Sequence, residues 1–433
     1  MYRNKGISRF AWLLLTVALI MAATSVTTWA APKETVTVLG VWGGQELQAF
    51  NKVLAAFEKK TGIHVEFTGT RDTVAVLVTR LQAGNPPDIA ALATPGLIWE
   101  LASKGQLVDL GKVLNMSQMK KDYAQTWLDL GSYKGKLYAI FFSVDLKSLV
   151  WYSPKAFAAH GYKIPQTWNE MLALTKNMAA SGVAPWSIGL ESGAASGWPG
   201  TDWIEDIMLR TGGPEVYDKW VNHEISWTSE PVRRAFELFG EIARNAHYVY
   251  GGPTAELSIN FGDAVKPVFA DPPKAYMLKQ ATFIQSFIRQ AYPNLQPVKD
   301  YSFFAFPAID PKWGVPVEVA GDGFEMLRDT PAARKLMQFL ASPEAQEIWV
   351  HELGKLSVNK RVPLSAYPDE LSRKAAEIVL QAKVARFDAS DLMPAALGSD
   401  AFWKGVLNYV SGQDLDSVLN NLEAVAKKAY GSK

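Results

Sequence analysis

The sequence predicts an α/β protein with two lobes, each built on a mainly parallel sheet flanked by helices. Three observations support this. Strand-like and amphipathic runs alternate from Val36 to Ser103. After an N-terminal targeting segment roughly 400 residues remain, enough for two cores. The chain has no cysteine, so those cores are held by burial and not by disulfides.

Val36 to Val41 reads as the first strand. Gln45 to Thr61 carries Leu47, Phe50, Val53, Leu54 and Phe57 at helical spacing, with Gly62 as a stop. His64 to Phe67 alternates as a second strand, Val74 to Ala83 reads as a helix, Ile89 to Leu92 as a short buried strand and Gly96 to Ser103 as a helix. Repeated βα units give parallel strands, and ligands of such sheets lie outside the carboxyl ends of the strands. That singles out the loops at Trp42–Gly44, Gly69–Asp72 and Thr94–Gly96. Further strands are read at Gly135–Phe142, Leu149–Tyr152, Tyr301–Phe306 and up to Gly323. Thr167 is read as the cap of a helix through Leu174. Other helices are read at 231–245, 273–290, 332–340, 344–353, 402–410 and 415–429. The sequence contains no internal repeat.

Residues 1–30 read as a cleaved export signal. Arg3, Lys5 and Arg9 precede the apolar run Phe10–Ala23, and Thr28 and Ala30 bracket Trp29 at a cleavage position after Ala30. With no cysteine there is no lipid-anchor site, so the expected location is the periplasm. Beyond residue 30 the chain holds 41 basic and 43 acidic residues, a balance that argues against nucleic acid as a partner.

The five histidines show no zinc spacing, and neither a nucleophile elbow nor a phosphate loop is present. The sequence predicts no metal, no cofactor and no catalytic residue. Thirteen of the fifteen tryptophans follow residue 30, and Trp42, Trp186, Trp198 and Trp203 stand among Gly, Pro and Asp. A sugar ring offers an apolar C–H face and a polar rim, which aromatic rings and carboxylates meet respectively. Gly197–Trp203 supplies both. The same residues also fit a core tryptophan with Asp202 capping the helix that follows, and a secreted glycoside hydrolase fits the carboxylates.

Several motifs resemble the extracellular solute-binding proteins of carbohydrate ABC importers. They are Pro87-Asp88-Ile89, Gly135-Lys136-Leu137-Tyr138, Val150-Trp151-Tyr152-Ser153 and Pro165-Gln166-Thr167-Trp168-Asn169-Glu170. Gly197–Asp206, Asp271-Pro272-Pro273 and Arg386–Pro394 resemble the α-glucoside-binding branch. The resemblance covers nearly the whole chain after residue 30. It implies a type II periplasmic-binding-protein fold with a hinge, one lobe from residues 31–143 and 319–365 and the other from 144–318 and 366–433. It implies a monomer that carries a small α-glucoside such as maltose, sucrose or trehalose to membrane permease subunits. A sugar sensor feeding a signalling receptor fits the same resemblance.

The candidate ligand-binding residues follow from the strand ends and from these motifs. Trp42, Gly43, Gly44 and Glu46 lie at the first strand end and helix start. Arg71 and Asp72 end the second strand, as a pair for adjacent hydroxyls or as a surface salt bridge. Pro95 shapes the wall after the third. Trp198, Asp202 and Trp203 form the proposed platform, and Tyr276 is placed at a helix start. Gly321 and Asp322 stand in a Gly-x-Gly frame, and Asp388 and Asp391 in the Arg386–Pro394 segment.

Overall fold

The alternation read from the sequence becomes β1 (Thr35–Gly40), α1 (Gly44–Thr61), β2 (His64–Gly69), α2 (Thr73–Gln82), β3 (Ile89–Leu92) and α3 (Pro95–Ser103) in the computed structural model, which describes residues 34–431. Helix α1 buries Ala49, Phe50, Val53, Leu54 and Phe57, the stripe that 3.6-residue periodicity requires. It stops where Gly62 turns to φ 72° and its N–H reaches the Glu58 carbonyl. β1 pairs in parallel with both β2 and β3.

The chain continues through β4 (Ala139–Leu146), β5 (Leu149–Tyr152), α4 (Trp168–Ala180), β6 (Ala184–Trp186), α5 (Trp198–Thr211), α6 (Glu230–Ala243), β7 (Ala275–Lys279), α7 (Ile284–Ala291) and β8 (Ser302–Ala305). It ends with β9 (Val317–Met326), α8 (Pro331–Leu340), α9 (Pro343–Leu353), α10 (Glu370–Gln381), β10 (Ala385–Phe387), α11 (Trp403–Val410) and α12 (Leu415–Tyr430). Thr167 caps α4 by accepting from the Glu170 N–H, as its position before an apolar stripe predicts.

The first sheet has the order β10-β9-β3-β1-β2, with β4 along the remaining edge of β9. β9 runs parallel to β10 over Val317–Val319 and antiparallel to β3 over Gly323–Met326. β4 spans Val319–Glu325 on the opposite edge, with a register shift at Asp322/Gly323. Ala320, Gly321 and Asp322 are therefore left between β10 and β3, and the carboxyl ends of both strands point at this notch. Beneath the sheet, Trp42 packs against Phe50, Phe142, Phe324 and Trp349 at centroid distances of 4.6 to 6.5 Å.

The second sheet has the order β8-β5-β7-β6. β5 is antiparallel to both β8 and β7, and only β6 and β7 are parallel. The expectation of a mainly parallel second sheet is thereby corrected. β5 enters from the first sheet through Lys147 and Ser148 alone and lies between β8 and β7, running against both. A second apolar core forms on this sheet, including Val150, Trp186, Trp203, Phe239 and Phe306. The segment read as one helix over 273–290 is strand β7 followed by α7, because all five residues of Ala275–Lys279 are buried between neighbouring strands. β10, drawn from residues assigned by sequence to the second lobe, hydrogen bonds into the first sheet. The signal segment 1–30 lies outside the described residues. No helix among the described residues is long and apolar enough to cross a membrane.

Glu256 is fully buried, and neither carboxylate oxygen has a hydrogen-bond partner among the described residues. Burial pushes its carboxyl up to about 9. The unfolded chain releases this proton near pH 4.5, whereas the folded protein keeps it until about pH 9. Stability therefore falls as pH rises through that window, by an amount on the order of several kcal/mol at its upper end. Glu256→Gln should melt close to the parent at pH 5 and clearly above it at pH 8.5, as read by calorimetric melting at both values.

Candidate functional site

A cavity of about 360 Å³ opens at the notch in β9. Ala320, Gly321 and Asp322 line it, together with Leu92, Ala93 and Thr94 from the end of β3 and Asp388, Ser390 and Asp391 from the end of β10. Trp42, Glu46, Arg71 and Asp72 line it from the ends of β1 and β2. Lys147, Ser192, Ala194, Trp198 and Trp403 line it from the elements packed on the second sheet.

Two buried ion clusters face this space. In the first, the Lys355 ammonium lies 2.9 Å from Glu46 Oε1, 3.2 Å from Asp145 Oδ2 and 3.8 Å from Asp322 Oδ2. Arg71 Nη2 donates to the other oxygen of Glu46 at 2.8 Å, and its guanidinium lies over the Phe261 and Phe287 rings at 5.1 and 5.8 Å. Burial works against ionisation of Glu46, but Lys355 and Arg71 hold its carboxyl below the usual range. Burial raises Asp322 despite Lys355, with Asp145 and Glu46 adding to the effect. Trp42 Nε1 and Ser143 Oγ each donate to Asp322 Oδ2 at 3.3 Å.

The second cluster is centred on Lys147, one of the two residues joining β4 to β5. Its ammonium donates to Asp202 Oδ1 at 2.8 Å and to Asp388 Oδ2, and lies 5.4 Å from the Trp198 ring centroid. Asp388 Oδ1 accepts from Ser390 Oγ at 2.7 Å and from the Asp391 N–H at 2.9 Å. Glu205 accepts from the N–H groups of Ala389 and Ser390 at 2.6 and 3.2 Å, fixing the loop. Burial pushes the Asp202 carboxyl up to about 6 against the pull of Lys147. Burial and then the neighbouring Asp388 carry Asp391 well above its usual value. Asp388 stays below its usual value because Lys147 outweighs its burial. Oxygens of Asp202, Glu318 and Asp388 lie within 4.8 Å of one another, a spacing that suits a metal ion, but here Lys147 supplies the positive charge to two of the three.

One hydrogen bond crosses the cavity mouth. Asp72 Oδ1 accepts from the Ala194 N–H at 2.8 Å. Gly193 makes the approach feasible: at φ 59° it is in the left-handed region, and a Cβ there would come 2.9 Å from the same oxygen.

The sequence reading brought many of the lining residues together. Trp42, Glu46, Arg71, Asp72, Trp198, Gly321, Asp322, Asp388 and Asp391 all line the cavity. Arg71 and Asp72 do not pair with each other, because Arg71 turns to Glu46 and Asp72 to Ala194. Six candidates fall outside the lining. Trp203 is 1% exposed and packs on Trp186 and Phe306. Helix α5 starts at Trp198, with Gly197 before it at φ 109° and Pro199 in its first turn, so Trp203 lies more than one turn in and on the core face. Asp202 sits behind Lys147 as its counter-ion. Tyr276, on β7, bonds His160 Nε2 through its hydroxyl at 3.2 Å. Gly43 and Gly44 form the exposed start of α1. Pro95 is buried in the first turn of α3, where neighbouring Gly96 presses on the Met393 carbonyl.

Sequence reasoning missed Asp145, Lys147, Lys355 and Trp403, and it singled out the loop of Thr94 without choosing Thr94 itself. Lys147 and Asp145 carried a signal, since they interrupt the apolar run from Ala139 to Tyr152. Lys355 and Trp403 carried none, because each is an ordinary residue beside a helix until distant segments meet it.

With this geometry in hand, comparison with known proteins gives the family. The profile described as bacterial extracellular solute-binding protein matches residues 43–347. The chain belongs to that family. It is 43% identical over 409 residues to the alpha-glucosides-binding periplasmic protein AglE of Rhizobium meliloti, covering 92% of this chain and 87% of that one. It is 42% identical over 391 residues to the osmoprotective compounds-binding protein GgtB of Synechocystis, covering 90% and 92%. Among solved structures, RafE in complex with raffinose superposes with TM-score 0.75 at 19% identity, covering 92% of this chain and all of that one. The maltose-bound MalE3 of T. maritima gives 0.72 at 18%, covering 91% and 99%. These likenesses place this solute-binding protein in the two-lobed type II fold.

Two predictions follow from the placement of the tryptophans and of Asp72. Trp198→Ala should weaken ligand binding by about 2 kcal/mol with little change in melting temperature. Trp203→Ala should instead cost about 3–5 kcal/mol of stability. Titration calorimetry and denaturant unfolding of both variants check this. Asp72→Ala should remove about 1 kcal/mol from the closed arrangement. Small-angle scattering without ligand should then show a larger radius of gyration, and calorimetry a weaker affinity.

Proposed function

We propose that this solute-binding protein captures a small α-linked glucoside in the cavity and delivers it to the permease of an ABC importer. The observation that carries the reading is the lining itself: the half-buried rings of Trp198 and Trp403 stand with the carboxylates of Asp322 and Asp388 around one cavity, an arrangement that suits a ring with an apolar face and a hydroxyl rim. The relative AglE, named for binding alpha-glucosides, supports the same ligand class. The cavity's volume lies within the range of small-molecule sites, about 300–1,000 Å³.

The protein acts by binding and not by catalysis in this reading: Asp322 and Asp388 are each engaged by a lysine that holds them in place. Residues 1–30 serve as an export signal, and the protein works as a periplasmic monomer. One lobe is built on the first sheet, from residues 34–146 and 317–365 with strand β10, and the other on the second sheet, from residues 147–316 and the rest of the chain after 365. Closure of the lobes is a population shift driven by contacts that the ligand completes.

Calorimetry against maltose, trehalose, sucrose, a β-linked disaccharide, glucose and a polyol tests the assignment. At least one α-glucoside should bind near micromolar, about −8 kcal/mol, with the others in the panel at least tenfold weaker. Heat from the β-linked sugar or the polyol alone would overturn the α-glucoside assignment. Release of monosaccharide on prolonged incubation would overturn the binding-only reading.

A further inference from the structure

Each cation lining the cavity is paired with at least one carboxylate. Lys355 faces the carboxylates of Glu46, Asp145 and Asp322. Arg71 shares Glu46, and the Phe261 and Phe287 rings lie within 5.8 Å of its guanidinium. Lys147 is held between Asp202 and Asp388. Three cations thus meet five carboxylates, an excess of acid before any other lining group is counted. Asp72 adds another carboxylate at the mouth, bonded among the described residues to a neutral backbone N–H.

We infer that the site selects on charge, taking uncharged glucosides and rejecting sugars that carry a carboxylate or a phosphate ester. This rests on the sugar-binding reading above and specifies the ligand class within it. Lys355 and Lys147 are each directed at more than one carboxylate and Arg71 at Glu46, so an entering anion would have to compete with carboxylates already in place. It would also sit within a few ångströms of unbalanced acid in a cleft partly shielded from water, where like charges repel strongly. A neutral hydroxyl meets the opposite situation. It donates to those same carboxylates without adding charge. The residues that set the selectivity are Glu46, Asp72, Asp145, Asp322 and Asp388.

The test uses maltose and trehalose, each with one terminal CH2OH oxidised to the uronic acid, and the corresponding uronamides. Amide and carboxylate are nearly the same size, so their comparison isolates charge. By calorimetry at pH 7.5 the uronamide should bind within about tenfold of the parent sugar and the uronate at least about 100-fold more weakly than the uronamide. Asp72→Asn keeps an oxygen for the Ala194 N–H but removes a charge. It should shrink the gap between amide and acid by about threefold or more. Equal binding of acid and amide overturns the inference. Loss of both derivatives with the parent still bound also overturns it, since shape and not charge would then discriminate. If neither parent sugar nor sucrose binds, the sugar reading itself fails, and the inference falls with it.

Discussion

The divided pairing of β9 is the constraint on which the site depends. One edge is continuous with β4, while the other is shared end to end by β10 and β3. No strand can fill the three residues between them, because the carboxyl ends of both neighbours turn away there into loops. Ala320, Gly321 and Asp322 are thus backbone-supported on one side and open on the other. Gly321 has no room for a side chain, since a Cβ would come 2.6 Å from the Ser143 carbonyl on the adjacent strand. The opening is a product of sheet topology and does not require a flexible loop to create it.

Charge then organises what topology leaves open. Lys355 and Lys147 are nearly fully buried, and each stands among several carboxylates. Removing one partner from such a pair leaves a stranded charge, at a cost of about 3–5 kcal/mol, so the clusters behave as units. Their carboxylates are thereby preorganised as acceptors before a ligand arrives, and little ordering remains to be done on binding. Between the two clusters the half-buried rings of Trp198 and Trp403 supply apolar surface.

Much of this was legible in the sequence, and the boundary between legible and hidden is physical. Local periodicity fixed the βα units through α3 because each helix stripe and strand is decided by neighbours within a few residues. The same periodicity could not give strand direction in the second sheet, since β5 finds its partners more than a hundred residues away. Of the candidates at strand ends, Trp42, Glu46, Arg71 and Asp72 line the cavity, as the rule that ligands sit beyond carboxyl ends leads one to expect, whereas Gly43, Gly44 and Pro95 do not. Trp203 and Tyr276 were misplaced, because a tryptophan or tyrosine near Gly and Pro looks the same in sequence whether its face meets a cavity or a core. Lys355 could be recognised only once α9 had packed on α1 and brought it to Glu46.

The two-residue link between β4 and β5 has a mechanical consequence. Two sheets joined by a long loop could swing without disturbing anything else, but here one of the joining residues is Lys147. The peptide that links the sheets there carries an ammonium pinned on both sides by carboxylates from other parts of the chain. Turning one sheet against the other at that link would drag a charge through a field, and the ion pairs would resist it together with the backbone torsions. The carboxylates that prepare the pocket would thus also stiffen the joint beside it.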